Sequence, residues 1–193
     1  MSDQLPAGYI FKELSSADFD KYWTEWGKRI FSDNDTSMDM QRVLSEHERA
    51  KVRELGQNLK PVGFNLCVFK GDEFCGWFTG GQYTHETFYM RNSAILPEHR
   101  RKGLYTALMN AVLARVKEMG FQIVLSRHTN TNNAIIIPKL KAGFVVTAME
   151  LSDRFGTLLH LSYFFNETRK KVLEFRSGES KPDKQVKDLL GID

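Results

Sequence analysis

The segment Ser93-Ala94-Ile95-Leu96-Pro97-Glu98-His99-Arg100-Arg101-Lys102-Gly103-Leu104-Tyr105-Thr106 gathers the residue types that can hold an anion. An apolar run ends at a proline, three consecutive cations and a glycine follow, and an apolar-periodic stretch opens at Leu104. If that stretch is a helix, its first N–H groups lack partners within it and stand at the positive end of its dipole. Such a terminus accepts phosphate readily. Arg100, Arg101 and Lys102 add charge and donors suited to phosphate oxygens, and Gly103 lets the backbone approach a ligand closely. An ordinary turn with exposed cations accounts for the same residues, so the loop alone decides nothing.

Other chemistries find no motif. His47-Glu48-Arg49-Ala50-Lys51 lacks the second histidine of a zinc helix, and the five histidines are scattered, so no metal is expected. No Gly-x-x-x-x-Gly-Lys-Ser/Thr loop and no Gly-x-Ser-x-Gly elbow occurs. The two cysteines, Cys67 and Cys75, flank the turn Lys70-Gly71-Asp72-Glu73. A two-residue loop there sets Cys67 opposite Gly76 and Cys75 opposite Val68, diagonal positions that suit a disulfide poorly. Reduced cysteines point to a reducing, cytoplasmic compartment.

The elements that would position the basic loop can be read from periodicity. A strand at residues 9–13 leads to Ser15-Ser16-Ala17-Asp18, a capping-box signature. Phe19, Tyr22, Trp23, Trp26 and Ile30 then recur at helical spacing. A more polar helix is expected over residues 38–55, stopped by Gly56. Strands follow at residues 64–70, 74–82 and 87–96, the first two as a hairpin. Leu104, Leu108, Val112, Val116 and Met119 line one side of a helix closed by Gly120. A short strand at 121–127, a short helix before Gly143, and strands at 144–151 and 157–165 complete the order. This is a mixed α/β (α+β) arrangement. Beyond Asn166 the charged remainder reads as a helix and a loose tail, dividing the chain into residues 1–166 and an extension at 167–193.

Two segments resemble the GNAT (Gcn5-related N-acetyltransferase) superfamily. Arg100-Arg101-Lys102-Gly103-Leu104-Tyr105 is similar to the superfamily's coenzyme A signature, Arg/Gln-x-x-Gly-x-Gly/Ala, departing only where Tyr105 replaces a small residue. Asn132-Asn133-Ala134-Ile135-Ile136-Ile137-Pro138-Lys139-Leu140-Lys141-Ala142-Gly143-Phe144 looks like the superfamily's asparagine, apolar helix and closing Gly-Phe. The resemblance implies a central, mostly antiparallel twisted sheet with one parallel pair that splays apart, here the strands at 87–96 and 121–127. It also implies acetyl-CoA as co-substrate, with no metal. Backbone groups of Ile95 and Leu96 would meet the pantetheine arm, residues Arg100 through Thr106 the diphosphate, and Asn132, with Asn133 in the adjacent register, the coenzyme. Capping of the helix would explain such an asparagine equally well.

The implied reaction is acetyl transfer to the amine of a small molecule or peptide. It needs a base for the amine, a donor for the oxyanion and an acid for the thiolate. Many family members place a tyrosine acid where this chain has Lys139, and a lysine on a short helix reads more readily as a surface residue. Pro138 beside it requires a kink or a helix that begins there. Glu86 acting through water is the preferred base, with Tyr89, His85 and His128 as alternatives. Tyr22, Trp23 and Trp26 are core by type and would face a cationic acceptor if one of them lines its pocket. The competing reading is a non-catalytic acyl-CoA sensor or scaffold of the same fold.

Composition narrows partners. The net charge of +3 comes from interleaved cations and anions, too mild a balance for a nucleic-acid partner. No apolar run reaches membrane-span length, and residues 1–6 carry no basic-then-apolar leader pattern. Val172, Leu173 and Phe175 in the charged C-terminal segment could pack against a second subunit, giving a homodimer.

Overall fold

A computed structural model describes residues 5–31, 44–50 and 62–192. Ser15 closes the expected capping box, its hydroxyl accepting from the Asp18 amide at 3.1 Å, and so separates β1 (Tyr9–Leu14) from α1 (Ser16–Phe31). A second capping box, Ser45 with Glu48, opens a helical stretch at residues 46–50. Within the helix expected over residues 38–55, Ser45 is a helix start, so the described part, residues 46–50, is a helix of its own beginning there. The rest of that expectation falls outside the described residues.

The described strands form one seven-stranded sheet in the order β1-β2-β3-β4-β5-β7-β6. Its members are β2 (Gly63–Lys70), β3 (Glu73–Gln82), β4 (Thr87–Ile95), β5 (Ile123–Thr129), β6 (Val145–Ser152) and β7 (Gly156–Phe164). All neighbours are antiparallel except β4 and β5, the one parallel pair. β5 runs two residues later than its apolar composition suggests, because Gly120, at φ +90°, and Phe121 are spent ending the preceding helix.

Two helices flank the basic loop and the asparagine segment: α2 (Leu104–Glu118) and α3 (Asn133–Lys141). The stripe Leu104, Leu108, Val112 and Val116 is almost fully buried, against Val68, Phe78, Phe88, Val124 and Leu161 on one face of the sheet. α1 covers the other face at β1–β4, with Phe19, Tyr22 and Trp26 over Phe69, Phe74 and Trp77. α3 starts at Asn133 and runs through Pro138, so the helix does not begin at the proline.

The hairpin forms at Gly71-Asp72, with Lys70 opposite Glu73. Its register carries a bulge not foreseen from spacing: Cys67 faces Trp77, Val68 faces Gly76, and Cys75 is the extra residue. The cysteines point to opposite faces of the sheet and both are free. The C-terminal segment is not a loose tail. Asn166 caps α4 (Glu167–Arg176), Asp183 caps α5 (Lys184–Leu190), and Val186 is buried.

Candidate active site

The basic loop has the backbone that an anion requires. Arg101 stands at φ +60° and Gly103 at φ +80°, leading directly into α2. Left-handed residues set within a turn in this way can aim successive N–H groups toward one concavity. No backbone acceptor meets the amides of residues 101–106 among the described residues. A non-glycine at such φ costs about 1–2 kcal/mol, so the fold holds Arg101 in a strained conformation. The surroundings fix the loop from behind: Arg100 donates through Nε to the Ile95 carbonyl at 2.9 Å, and Lys102 through Nζ to the Glu98 carbonyl at 2.9 Å. Leu96 donates its amide to the Cys75 carbonyl on the far side.

Tyr105, the departure from the signature, turns inward rather than crowding the loop. Its buried hydroxyl has Ser93 nearby but no partner at full hydrogen-bonding geometry among the described residues, and burial pushes the phenol up to about 12 against the Ser93 contact.

The parallel pair then opens. β4 and β5 are in register only at Thr87–Ile123, Phe88–Val124 and Tyr89–Leu125. Beyond those pairs β4 continues with β3 and β5 with β7, so the edges facing each other have no ladder. A bulge at Arg91, where Thr79 faces Asn92 but Gly80 faces Met90, bends β4 at the point of separation. Asn132 stands at the N-cap of α3 and makes no side-chain capping bond, which removes capping as its explanation. Asn133 is exposed in the first turn.

Lys139 is not a surface residue. It is fully buried, at 0% exposure, with Nζ 3.3 Å from the Met90 sulfur and 4.5 Å from the Phe144 ring centre. Met90 is the first β4 residue beyond the paired segment, so the amine lies at the crotch of the splay. A thioether is a weak acceptor and a ring face a partial substitute for water. Burial accordingly pushes the ammonium down to about 7. Ser126 and His128 line the same crotch from β5, 3.2 Å apart. Burial, and then the nearby Lys139 charge, push His128 down to about 3. α3 aims Lys139 inward because Ile136, one turn earlier, anchors the same face in the core.

On the opposite face of the sheet Tyr89 accepts from Arg127 Nε at 3.2 Å, with the guanidinium over its ring. Arg127 also donates to Glu150, which meets His160 Nε2 at 2.6 Å. His160 and Arg127 together hold the Glu150 carboxyl below its ordinary range. Arg127, Glu150 and His160 come from three strands, and no spacing joins them in the sequence. The one visible sign is a charged residue interrupting strands that are otherwise apolar.

Glu86 lies elsewhere. It precedes the first β4–β5 pair, at the closed end, and Arg169 of α4 donates to both of its oxygens at 2.8 and 3.1 Å. Those hydrogen bonds lower its pKa, which weakens it as a base. The structure thus brings Tyr89 and Lys139 to the splay and leaves Glu86 apart. Tyr22 stacks on Phe74 at 4.3 Å, Trp26 stacks on the same ring, and Trp23 packs edge-on against Trp77. Tyr22 and Trp26 also line a cavity of about 430 Å³ beside Glu25, Asp72 and His99. That cavity borders the far end of β4, not the crotch.

No curated protein matches the sequence. Solved structures do. The Salmonella typhimurium protein yncA, with its cofactor acetyl-CoA, is 18% identical with a TM-score of 0.60, covering 83% of this chain and 95% of its own. The ribosomal-protein-S18-alanine N-acetyltransferase from Escherichia coli is 13% identical with a TM-score of 0.59, covering 82% and 94%. A GNAT family acetyltransferase from Elizabethkingia anophelis with acetyl-CoA bound is 10% identical with a TM-score of 0.56, covering 83% and 100%. These likenesses establish the fold. The sequence model of the acetyltransferase (GNAT) family matches residues 19–144, which run from α1 through the basic loop and the splay to Phe144 beside Lys139. By that match over most of its length, the chain belongs to the acetyltransferase (GNAT) family.

Proposed function

We propose that the chain transfers an acetyl group from acetyl-CoA to a primary amine of a small molecule or peptide, by direct attack of the amine on the thioester. The observation that carries this is the buried Lys139 amine at the crotch of a splayed strand pair whose far end meets an unpaired anion loop. Residues 101–106 would take the diphosphate through their free amides, and Arg100 would stay on Ile95. The facing edges of β4 and β5 would bond the amides of the pantetheine arm, which otherwise leave those edges unsatisfied. The half-buried, uncapped Asn132 stands ready to join them.

Lys139 serves as the proton source for sulfur. As the amine's nitrogen bonds to carbon and the C–S bond breaks, Lys139 gives its proton to the thiolate. It regains one as the new amide nitrogen loses its surplus proton through water. A pKa near 7 suits a group that must do both at neutral pH. The acceptor approaches from the face of Tyr89, Arg127, Glu150 and His160. There the carboxylate can hold it as an ammonium until that cation gives one proton to solvent water and the free amine attacks. Two free, buried cysteines support a reducing compartment such as the cytoplasm.

The test is acetyl-CoA binding by calorimetry, followed by thiol release across a panel of amines. Binding with turnover on at least one amine is expected. A protein that gives no heat and no thermal shift with acetyl-CoA would sink the proposal. Tight binding with no turnover on any amine would move the reading to an acyl-CoA sensor.

A further inference from the structure

Behind the anion loop, away from the splay, three side chains converge that the acyl-transfer reading does not use. Glu73 at the start of β3, Cys75 at the β3 bulge and His99 in the 3₁₀ turn Pro97–His99 each bring one ligand atom to within 4.8 Å of the other two. Cys75 is 0% exposed and His99 5%, so two of the three are built into the interior. The bulge makes Cys75 the residue without a partner on β2, and bulges re-aim side chains in this way. His99 is oriented on both sides. Its Nε2 faces Glu73 at 3.1 Å, and its Nδ1 meets the Tyr9 hydroxyl at 3.0 Å. Without an ion, the Glu73 carboxylate can only accept, so Nε2–H donates to it and the Tyr9 hydroxyl donates to Nδ1. Binding an ion at Nε2 moves the ring proton to Nδ1, where the Tyr9 oxygen can turn to accept it, as the partners of metal-bound histidines do.

We propose that Glu73, Cys75 and His99 form a binding site for a zinc-type divalent transition ion. One sulfur, one nitrogen and one oxygen donor suit zinc or cobalt and not the all-oxygen preference of magnesium or calcium. Three protein ligands leave a fourth position, and Glu73 and His99 border the 430 Å³ cavity from which water can fill it. Binding replaces the Cys75 S–H proton with metal, the proton going to solvent. Thiolate and carboxylate together balance the dication. Lys70 and Lys102 act on Cys75 from the exposed rim, Lys102 with its amine on the Glu98 carbonyl. Burial and then the Glu73 charge push the Cys75 thiol up, so it loses its proton to the ion rather than before it. The two lysines favour the thiolate and oppose the ion, and both are long enough to swing outward. Asp72, lining the same cavity, offsets them.

The site joins β3 to the residue immediately before Arg100. Its occupancy therefore stiffens the anion loop, a consequence that rests on the reading above, whereas the ion site itself does not. The test measures the ion without acetyl-CoA. Reduced, chelator-treated full-length protein is titrated with Co²⁺. The expected result is a thiolate-to-cobalt charge-transfer band saturating at one ion per chain, displaced by Zn²⁺, and a higher Tm with Zn²⁺. Cys67→Ala keeps the band and Cys75→Ala loses it. Glu73→Gln, at an exposed position, and His99→Gln each weaken binding by about 10-fold or more. No thiolate band on folded wild-type protein overturns the proposal. A band that survives Cys75→Ala, or an affinity unmoved by both Glu73→Gln and His99→Gln, does the same.

Discussion

At the scale of single residues, the side chain at position 139 separates this protein's chemistry from a generic reading of its motif. A lysine on a short helix beside a proline suggests exposure, yet Lys139 has no exposed surface and, among the described residues, Met90 and Phe144 alone to meet its amine. Nothing about a soft acceptor and a ring compensates for lost water in full, so the site holds an amine that gives up its proton easily. Lys139→Met keeps the volume and removes the proton. We expect kcat to fall by about 10²-fold, the lower end of what a positioned acid supplies, while the Kd for acetyl-CoA stays within about threefold. The limb of the kcat–pH profile near 7 should vanish with it. Steady-state kinetics and calorimetry on the variant decide this, and an unchanged pH profile would remove Lys139 from the proton path. His128 is no substitute, because burial and the neighbouring charge keep it neutral well below physiological pH.

At the scale of elements, the splay depends on two glycines for different reasons. Gly103 precedes α2 at φ +80° with open space where a Cβ would stand, so the cost of a side chain there is conformational. Gly103→Ala should cost about 1–2 kcal/mol in that conformation and weaken acetyl-CoA binding by up to about 10-fold, read by calorimetry. An unaltered Kd would show that the loop backbone does not touch the ligand. Gly80 fails sterically. A Cβ there meets the Phe78 ring at 2.6 Å, the Phe88 ring at 2.7 Å and the Tyr89 carbonyl at 2.7 Å. Gly80→Ala should destabilise by about 1–3 kcal/mol, lowering Tm by about 2–4 °C per kcal/mol, and thermal denaturation measures it. The elements themselves were largely legible, since the α2 stripe, the Ser15 capping box and the Gly71-Asp72 turn rest on local chemistry. What local chemistry does not record is register. The bulges at Cys75 and Arg91, the burial of Lys139 and the meeting of Arg127, Glu150 and His160 are set by which strand lies beside which. The same limit hid the attachment of α4, whose Arg169 reaches Glu86 across more than 80 residues of chain.

At the scale of the whole molecule, the buried titratable groups set how stability follows pH. Lys139 falls from 10.5 in the open chain to about 7 when folded, so between those values the unfolded state carries more protons. Stability then rises with pH across that window, by at most about 1.4 kcal/mol per pH unit for one proton. His128, falling from 6.5 to about 3, adds a rise of the same sign over its own lower window. Two groups act the other way at higher pH. Cys67 is pushed from 9.0 up to about 12 by burial, and Tyr105 from 10.0 up to about 12. Above 9 and then above 10 the unfolded chain sheds protons that the folded one keeps, which lowers stability as pH climbs. Between about 9 and 10 the Lys139 rise and the Cys67 fall offset each other, so stability levels off there and declines above 10, with the Lys139 slope isolated between 7 and 9. Urea denaturation at stepped pH should show wild-type ΔG rising through that interval and Lys139→Met losing the rise. Because the variant no longer buries an amine, it should also be the more stable protein at pH 7, while being the poorer catalyst. A variant that retains the wild-type slope from 7 to 9 would place the titration elsewhere and return Lys139 to an ordinary charged state.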